Sequence, residues 1–234
     1  YKDIDWNNRL IGIEGARGVG KTTLILQHIK KDLNKENSLY ITAEDLFFDT
    51  NKLVDLANEA VKQGIKYLFI DEIHKYKNWS KELKLIYDYN PELNIVFTGS
   101  SILDINKGIS DLSRRCVVYK MQGLSFREYL LLFHSIKSKV YSLNEIINNK
   151  VEIENLPHPL PLFNDYLLQG YYPFANQGEY KTRLLQIINQ TLESDIPFYA
   201  NMNVSTGRKL KQLLSIISKS SGFVFITPKE PPIG

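Results

Sequence analysis

Gly15-Ala16-Arg17-Gly18-Val19-Gly20-Lys21-Thr22 decides the fold of this chain. Glycine stands first and sixth, lysine and a hydroxyl residue follow, and the spacing satisfies GxxxxGK-[Ser/Thr] without a mismatch. Before it, Leu10-Ile11-Gly12-Ile13-Glu14 is a short apolar run of strand type; after it, Ile25, Ile29 and Leu33 recur at helical spacing within Thr22 to Leu33. In such a setting the glycines let the backbone curl so that its N–H groups face phosphates. The helix that begins near Gly20 adds the positive end of its dipole. Lys21 is expected to reach β- and γ-phosphates and Thr22 to offer its hydroxyl to Mg²⁺. The backbone of Gly15, Arg17, Gly18, Val19, Gly20 and Thr23 completes a cradle for ATP, with the Arg17 side chain expected in solvent.

Outward from the loop, strands and helices alternate. Ser38 to Thr42 reads as a strand, and Leu53, Leu56, Ala57, Ala60 and Val61 recur as one face of a helix. Tyr67-Leu68-Phe69-Ile70 is apolar throughout, as a strand buried on both faces must be, and it ends in Asp71-Glu72. Trp79, Leu83, Ile86 and Tyr87 form a further helical stripe; Asn94 to Thr98 and Cys116 to Met121 complete the set of strands. The alternation predicts an α/β architecture: an open parallel sheet of about five strands flanked by helices, with ligands at the strand carboxyl ends. After Met121 only helices are expected, starting at Ser125 and Glu128, which are spaced as a capping box. Pro157-His158-Pro159-Leu160-Pro161 reads as a rigid connector, since it suits neither regular helix nor central strand. Leu184, Ile188, Thr191 and Leu192, then Leu210, Leu213, Leu214 and Ile217, give two later helices. The expected organisation is a nucleotide domain at residues 1–123, a helical extension and linker at 124–161, and a helical region at 162–234 that contains the start of a truncated winged helix.

Beyond the loop, a nucleotide site needs a carboxylate for the metal and a base for water. Successive residues at a strand end point in different directions, so Asp71 suits the metal shell through water and Glu72 suits the general base beyond the γ-phosphate. An acidic pair that merely caps a surface strand is the alternative. At the end of the Asn94 strand, Thr98-Gly99-Ser100-Ser101 offers hydroxyls that could orient the attacking water, Ser100 before Thr98, unless the cluster is turn chemistry alone. In Leu112-Ser113-Arg114-Arg115, Arg115 either reaches the charge that grows on the γ-phosphate, in its own or a neighbouring subunit, or is one of two solvated arginines. His28, His74, His134 and His158 have no metal-ligand spacing, so no structural zinc is expected. Lys75, Lys77, Lys81 and Lys84, with Tyr76 and Trp79, read as a solvated helix face or as a basic and aromatic contact patch.

Composition narrows the class further. The chain has 234 residues, 43% of them hydrophobic, which rules out a disordered or fibrous protein. Twenty-nine basic against 26 acidic residues leave a net charge of +3, which neither demands nor excludes a nucleic acid. The one cysteine, Cys116, has no internal partner for a disulfide and lies in an apolar run where a buried thiol is expected. No apolar run approaches the roughly 18 residues of a membrane span, and a cytoplasmic protein without a membrane partner is expected. The start at Tyr1 and the end in Pro231-Pro232-Ile233-Gly234 read as those of a fragment.

Taken together, these segments resemble the AAA-type ATPases of the STAND-like, archaeal-ATPase-like clade, in which a P-loop domain precedes a helical region and a C-terminal domain of unknown function. The resemblance is carried by Gly15 to Thr22, the strand ending in Asp71-Glu72, the Thr98 to Ser101 turn and Leu124-Ser125-Phe126-Arg127-Glu128-Tyr129, and it covers about residues 9 to 215. It implies ATP and Mg²⁺ as cofactors and ATP hydrolysis as the reaction. Arg115 matches the family's arginine before the fifth strand, with Arg114 where a glycine is usual, so a different local backbone is expected. Gly170-Tyr171-Tyr172-Pro173 resembles a Gly-Gly-aromatic-Pro element with tyrosine at the second glycine. The first function expected is a nucleotide-driven switch, acting as a homo-oligomer or on a protein or DNA partner through regions further on. The alternatives are a slow or inert ATP-binding scaffold and a small-molecule kinase, and the Asp71-Glu72 pair speaks against the kinase.

Overall fold

The computed structural model describes residues 4–100, 112, 114–154, 156–196 and 203–219. Ser101, Ser113 and Pro231 to Gly234, all named above, lie outside the described residues. The expected alternation is present: β1 (Leu10–Glu14), α1 (Lys21–Asp32), β2 (Ser38–Thr42), α2 (Leu53–Lys62), β3 (Tyr67–Asp71), α3 (Trp79–Tyr89), β4 (Asn94–Gly99) and β5 (Val117–Lys120). The five strands form one parallel sheet in the order β2-β3-β4-β1-β5.

Register explains why this sheet builds a site. Thr42 lies opposite Asp71, and Glu14 lies opposite both Gly99 and Lys120, so the carboxyl ends of the strands share one rim. The glycine-rich loop leaves β1 at that rim and Asp71 ends β3 on it. Between them β4 brings up Thr98 and Gly99.

Alternation along each strand divides the core between the two faces of the sheet. Leu10, Leu68, Ile70, Ile95 and Phe97 pack on one face with Ala57 of α2 and Leu83 and Ile86 of α3. Ile11, Ile13, Phe69 and Val96 pack on the other with Leu24 and Ile25 of α1. β3 is buried on both sides from Leu68 to Asp71, which is why its apolar run is unbroken. Trp79 belongs to this core, with its ring 5.5 Å from that of Phe97, so it is no part of an exposed aromatic patch.

β5 is shorter than expected and is an edge strand, with Val117 38% exposed. The neighbouring Cys116 is half-buried, and its burial pushes the thiol up to about 12.

Beyond Lys120 every described element is helical: α4 (Phe126–His134), α5 (Leu143–Ile147), α6 (Leu160–Asp165), α7 (Tyr180–Gln190) and α8 (Val204–Lys219), with π turns at Tyr166–Gly170 and Thr191–Asp195. Both arms of the capping box at α4 form: the Glu128 N–H donates to Ser125 Oγ at 3.3 Å, and the Ser125 N–H to Glu128 Oε2 at 2.8 Å. Phe126 of α4 meets Phe163 and Tyr166 with ring centroids 5.2 and 5.6 Å away, and Tyr129 meets Tyr166 at 5.5 Å. The proline-rich connector ends earlier than expected, because Pro159 caps α6 and Pro161 lies in its first turn. A proline is tolerated there, since the first N–H groups of a helix have no partner within it.

The chain divides into two compact units, Tyr1–Arg183 and Leu184–Gly234. Within the second, α8 packs on the π turn at Thr191–Asp195, and Lys211 Nζ pairs with Glu193 Oε1 at 2.9 Å. Among the described residues no helix is long and apolar enough to cross a membrane.

Phe69 is fully buried between β2, β4 and α1. Phe69→Ala should therefore lower the unfolding free energy of the first unit by about 3–5 kcal/mol. Denaturant titration followed by circular dichroism checks this, and a loss below about 1 kcal/mol would mean the position repacks.

Candidate functional site

Two glycines set the path of the loop. Gly20 caps α1 with φ 105°, a conformation that costs an L residue about 1–2 kcal/mol. Gly15 runs so close to β5 that an added Cβ would lie 2.2 Å from the Met121 carbonyl oxygen. With its backbone placed in this way, the loop starts α1 at Lys21, directly above the sheet rim. Beside its first residues opens a pocket of about 420 Å³, lined by Gly15, Ala16, Met121, Gln122 and Tyr171 among others.

Lys21 is buried, and its Nζ donates to the carbonyls of Gly15 at 2.9 Å and Ala16 at 3.1 Å. Burial lowers the pKa of this ammonium, while Glu72 and Asp71 raise it. Arg17 differs from expectation: its side chain is not simply solvated, since Nε and Nη2 are sealed from water. Its charge bears on Lys21, Glu72 and His74.

Asp71 collects hydroxyls from three elements. Thr22 Oγ1 of α1 donates to Asp71 Oδ2 at 2.6 Å, and the Tyr40 hydroxyl of β2 donates to the same oxygen at 2.9 Å. Thr98 Oγ1 of β4 donates to Asp71 Oδ1 and accepts the Glu72 N–H at 3.0 Å. Burial and the Asp71 carboxylate hold the Tyr40 hydroxyl far above its ordinary pKa, so it remains a donor. The pair of hard oxygens at Thr22 and Asp71 fits a magnesium ion, which takes few protein ligands and shares the rest of its shell with phosphates and water.

Glu72 has φ 53° and ψ 41°, a left-handed conformation that is strained for a non-glycine residue. Glu72 thus stands outside the strand alternation that ends at Asp71. Burial raises the pKa of the Glu72 carboxyl, and the charges of Lys21 and Arg17 work against that rise. His74 follows in the short 3-10 turn Ile73–Lys75, with Nε2 3.2 Å from Glu72 Oε2. Ser100 is buried against the same ring, its Oγ 3.3 Å from His74 Nε2 and its N 3.4 Å from Nδ1.

Lys21, Thr22, Asp71, Glu72, Thr98 and Ser100 therefore meet at one rim. Arg115 does not join them. It lies ahead of Val117, which pairs with Ile11, so it occupies the far rim of the sheet. There Nε and Nη2 of Arg115 bond the Asp88 carboxylate at 2.9 and 3.1 Å. Arg114 takes φ 73°, the left-handed conformation a glycine would adopt without penalty. Tyr171 has φ −66° and needs no glycine, and its carbonyl accepts the Leu124 N–H at 2.8 Å. Sequence reasoning missed Tyr40 altogether, and it read His74 only as a non-ligand of metals. Tyr40 carries a faint signal, being the one polar-tipped residue in the middle of the apolar β2 run.

A family model described as "AAA domain" matches residues 7–130. Uncharacterized protein MJ1637 of Methanocaldococcus jannaschii is 28% identical over 234 residues, covering 91% of this chain and 49% of that protein. Uncharacterized protein MJ1544 of the same organism is 31% identical over 172 residues, covering 71% of this chain and 36% of that one. The chain thus spans half or less of the length of these relatives. A solved structure titled "Structure of C. elegans PCH-2" overlays 94% of this chain and 59% of its own at 19% identity, with a TM-score of 0.39.

If the Thr98 hydroxyl holds both Asp71 and the Glu72 N–H, Thr98→Val should lower the unfolding free energy by about 1–3 kcal/mol by leaving buried polar groups unpaired. Thr98→Ser should remain near wild type. A valine variant as stable as wild type in urea would show that the hydroxyl holds neither.

Proposed function

The chain belongs to the AAA domain family, and from that premise we propose that this nucleotide-binding P-loop domain hydrolyses Mg-ATP and works as a nucleotide-driven switch. The observation that carries the reading is the 2.6 Å bond between Thr22 Oγ1 and Asp71 Oδ2. It joins the helix that follows the loop to the end of β3, where metal and phosphate chemistry must meet.

In this reading the backbone from Gly15 to Thr23 cradles the phosphates, and Lys21 exchanges its carbonyl partners for β- and γ-phosphate oxygens. Thr22 and Asp71 hold Mg²⁺, Asp71 through water, and the ion when bound neutralises charge on the phosphates. Glu72 takes a proton from water; the water oxygen bonds to the γ-phosphorus, and the bond from that phosphorus to the bridging oxygen breaks to leave ADP. A raised carboxyl pKa suits a group that must accept this proton. Thr98 fixes Asp71 and the Glu72 backbone, while Ser100 steadies the end of β4. The position of Arg115 favours action on a neighbouring subunit's nucleotide over action on its own.

Glu72→Gln keeps the side chain's shape and removes its ability to accept a proton. Turnover should fall by at least about 10²-fold with ATP still bound, read as phosphate release beside nucleotide affinity. Were wild type no faster than the variant, the chain would be an ATP-responsive scaffold instead.

Arg115→Ala should lower turnover and leave ATP affinity within a few-fold, because charge on the γ-phosphate grows only in the transition state. For wild type, activity per molecule should rise with protein concentration, and for the variant it should stay flat. An unchanged rate in the variant removes Arg115 from the reaction.

A further inference from the structure

His74 is a buried titratable group that the reaction above leaves without a task. Its side chain is 1% exposed. Burial, helped by the charges of Lys75, Lys21 and Arg17, drives its pKa down to about 3, with Asp71 working weakly the other way. The ring is thus a neutral imidazole, which has one N–H donor and one acceptor nitrogen. The Ser100 N–H points at Nδ1 from 3.4 Å, which makes Nδ1 the acceptor and leaves the proton on Nε2. That nitrogen bonds Ser100 Oγ at 3.3 Å and lies 3.2 Å from Glu72 Oε2, a buried oxygen with no hydrogen-bond partner among the described residues.

We infer that His74 is a positioning residue for Glu72: its Nε2–H is the donor within reach of the otherwise unbonded Glu72 Oε2 and restrains that carboxylate, while both ring nitrogens anchor the imidazole to Ser100 just past β4. Glu72 stands in a strained turn, so its backbone alone does not fix where the carboxylate points. A rigid ring held by the next strand supplies that restraint. The link also gives the end of β4, which lies between the loop strand and the Asp71 strand, a path to the base that runs through a single side chain. Changes at Ser100 then alter the aim of Glu72 without touching the phosphate cradle.

The inference rests on Glu72 as the base, so its test includes variants of both residues in the full chain. Phosphate release and ATP affinity are measured for wild type, His74→Leu, His74→Gln, Glu72→Gln and the double variant His74→Leu/Glu72→Gln. His74→Leu should lower kcat by about 10- to 100-fold, the size seen when an outer-shell hydrogen-bond partner is lost, with KM and ATP affinity within about threefold. His74→Gln, whose amide N–H can take the place of Nε2–H, should recover most of the rate. In the Glu72→Gln background the leucine should lower the rate less than about twofold further, because the carboxylate it orients is already gone. Full additivity in the double variant, or a glutamine variant as slow as the leucine one, would reduce His74 to a packing residue. A leucine variant at the wild-type rate while Glu72→Gln is slow sinks this inference alone; a Glu72→Gln variant at the wild-type rate sinks the base assignment and the inference with it. Should the leucine variant fail to fold, nitrogen NMR of the imidazole in wild type still decides, since the inference requires the neutral Nε2–H form at pH 7. The Nδ1–H tautomer or a charged ring would overturn it.

Discussion

The Asp71 carboxylate is the constraint on which the rest of the site depends. It lies buried at the end of β3 and takes hydroxyls from α1, β2 and β4. A buried carboxylate with no donors would be costly by several kcal/mol, and satisfying this one fixes three neighbouring elements relative to β3. Thr22 thereby sets the roll of α1 and the height of the loop above the sheet. Thr98 reaches further, because the same oxygen that donates to Asp71 accepts the Glu72 N–H. The strained turn at Glu72 is held by that bond, so one hydroxyl on β4 serves both residues of the acidic pair.

Fold and loop were legible in the sequence for a common reason. A parallel strand buried on both faces is apolar without interruption, so Leu68-Phe69-Ile70 reads as central, and the octapeptide Gly15 to Thr22 carries its glycines and lysine at a fixed spacing where β1 passes into α1. The edges were less legible. β5 has one open side, so its apolar residues outrun its hydrogen bonds and its ends were drawn too wide. Pro161 misled in a different way, because proline forbids a helix interior but suits a first turn, and the sequence does not say which turn it occupies.

Side-chain roles that depend on register were legible only in part. Thr22, Asp71 and Glu72 announce themselves through spacing along the chain. Tyr40 does not, since its hydroxyl reaches Asp71 only because β2 pairs with β3 so that Thr42 lies opposite Asp71. Arg115 shows the opposite case. It is close to the site in the order of elements, but the parallel register of β5 with β1 carries it to the other rim. Arg17 was assigned to solvent because the loop binds phosphate through its backbone N–H groups and leaves that side chain no task; the structure instead seals Nε and Nη2 of its guanidinium from water near Lys21, Glu72 and His74, which a linear reading does not bring together.

The same geometry bears on how a nucleotide could act as a switch here. Lys21 already has two carbonyl partners within its own loop, and Thr22 already has Asp71. Phosphate and metal would compete for donors that are in use, so binding would redistribute hydrogen bonds instead of filling vacant ones. Each released partner lies on a different segment: the Gly15 and Ala16 carbonyls on the loop that abuts Met121, and Asp71 on the strand that supports Glu72 and His74. A ligand that takes over Lys21 and Thr22 therefore acts on the loop next to β5 and on the end of β3 together, and only packing between those segments and the helices around them sets how far the change travels.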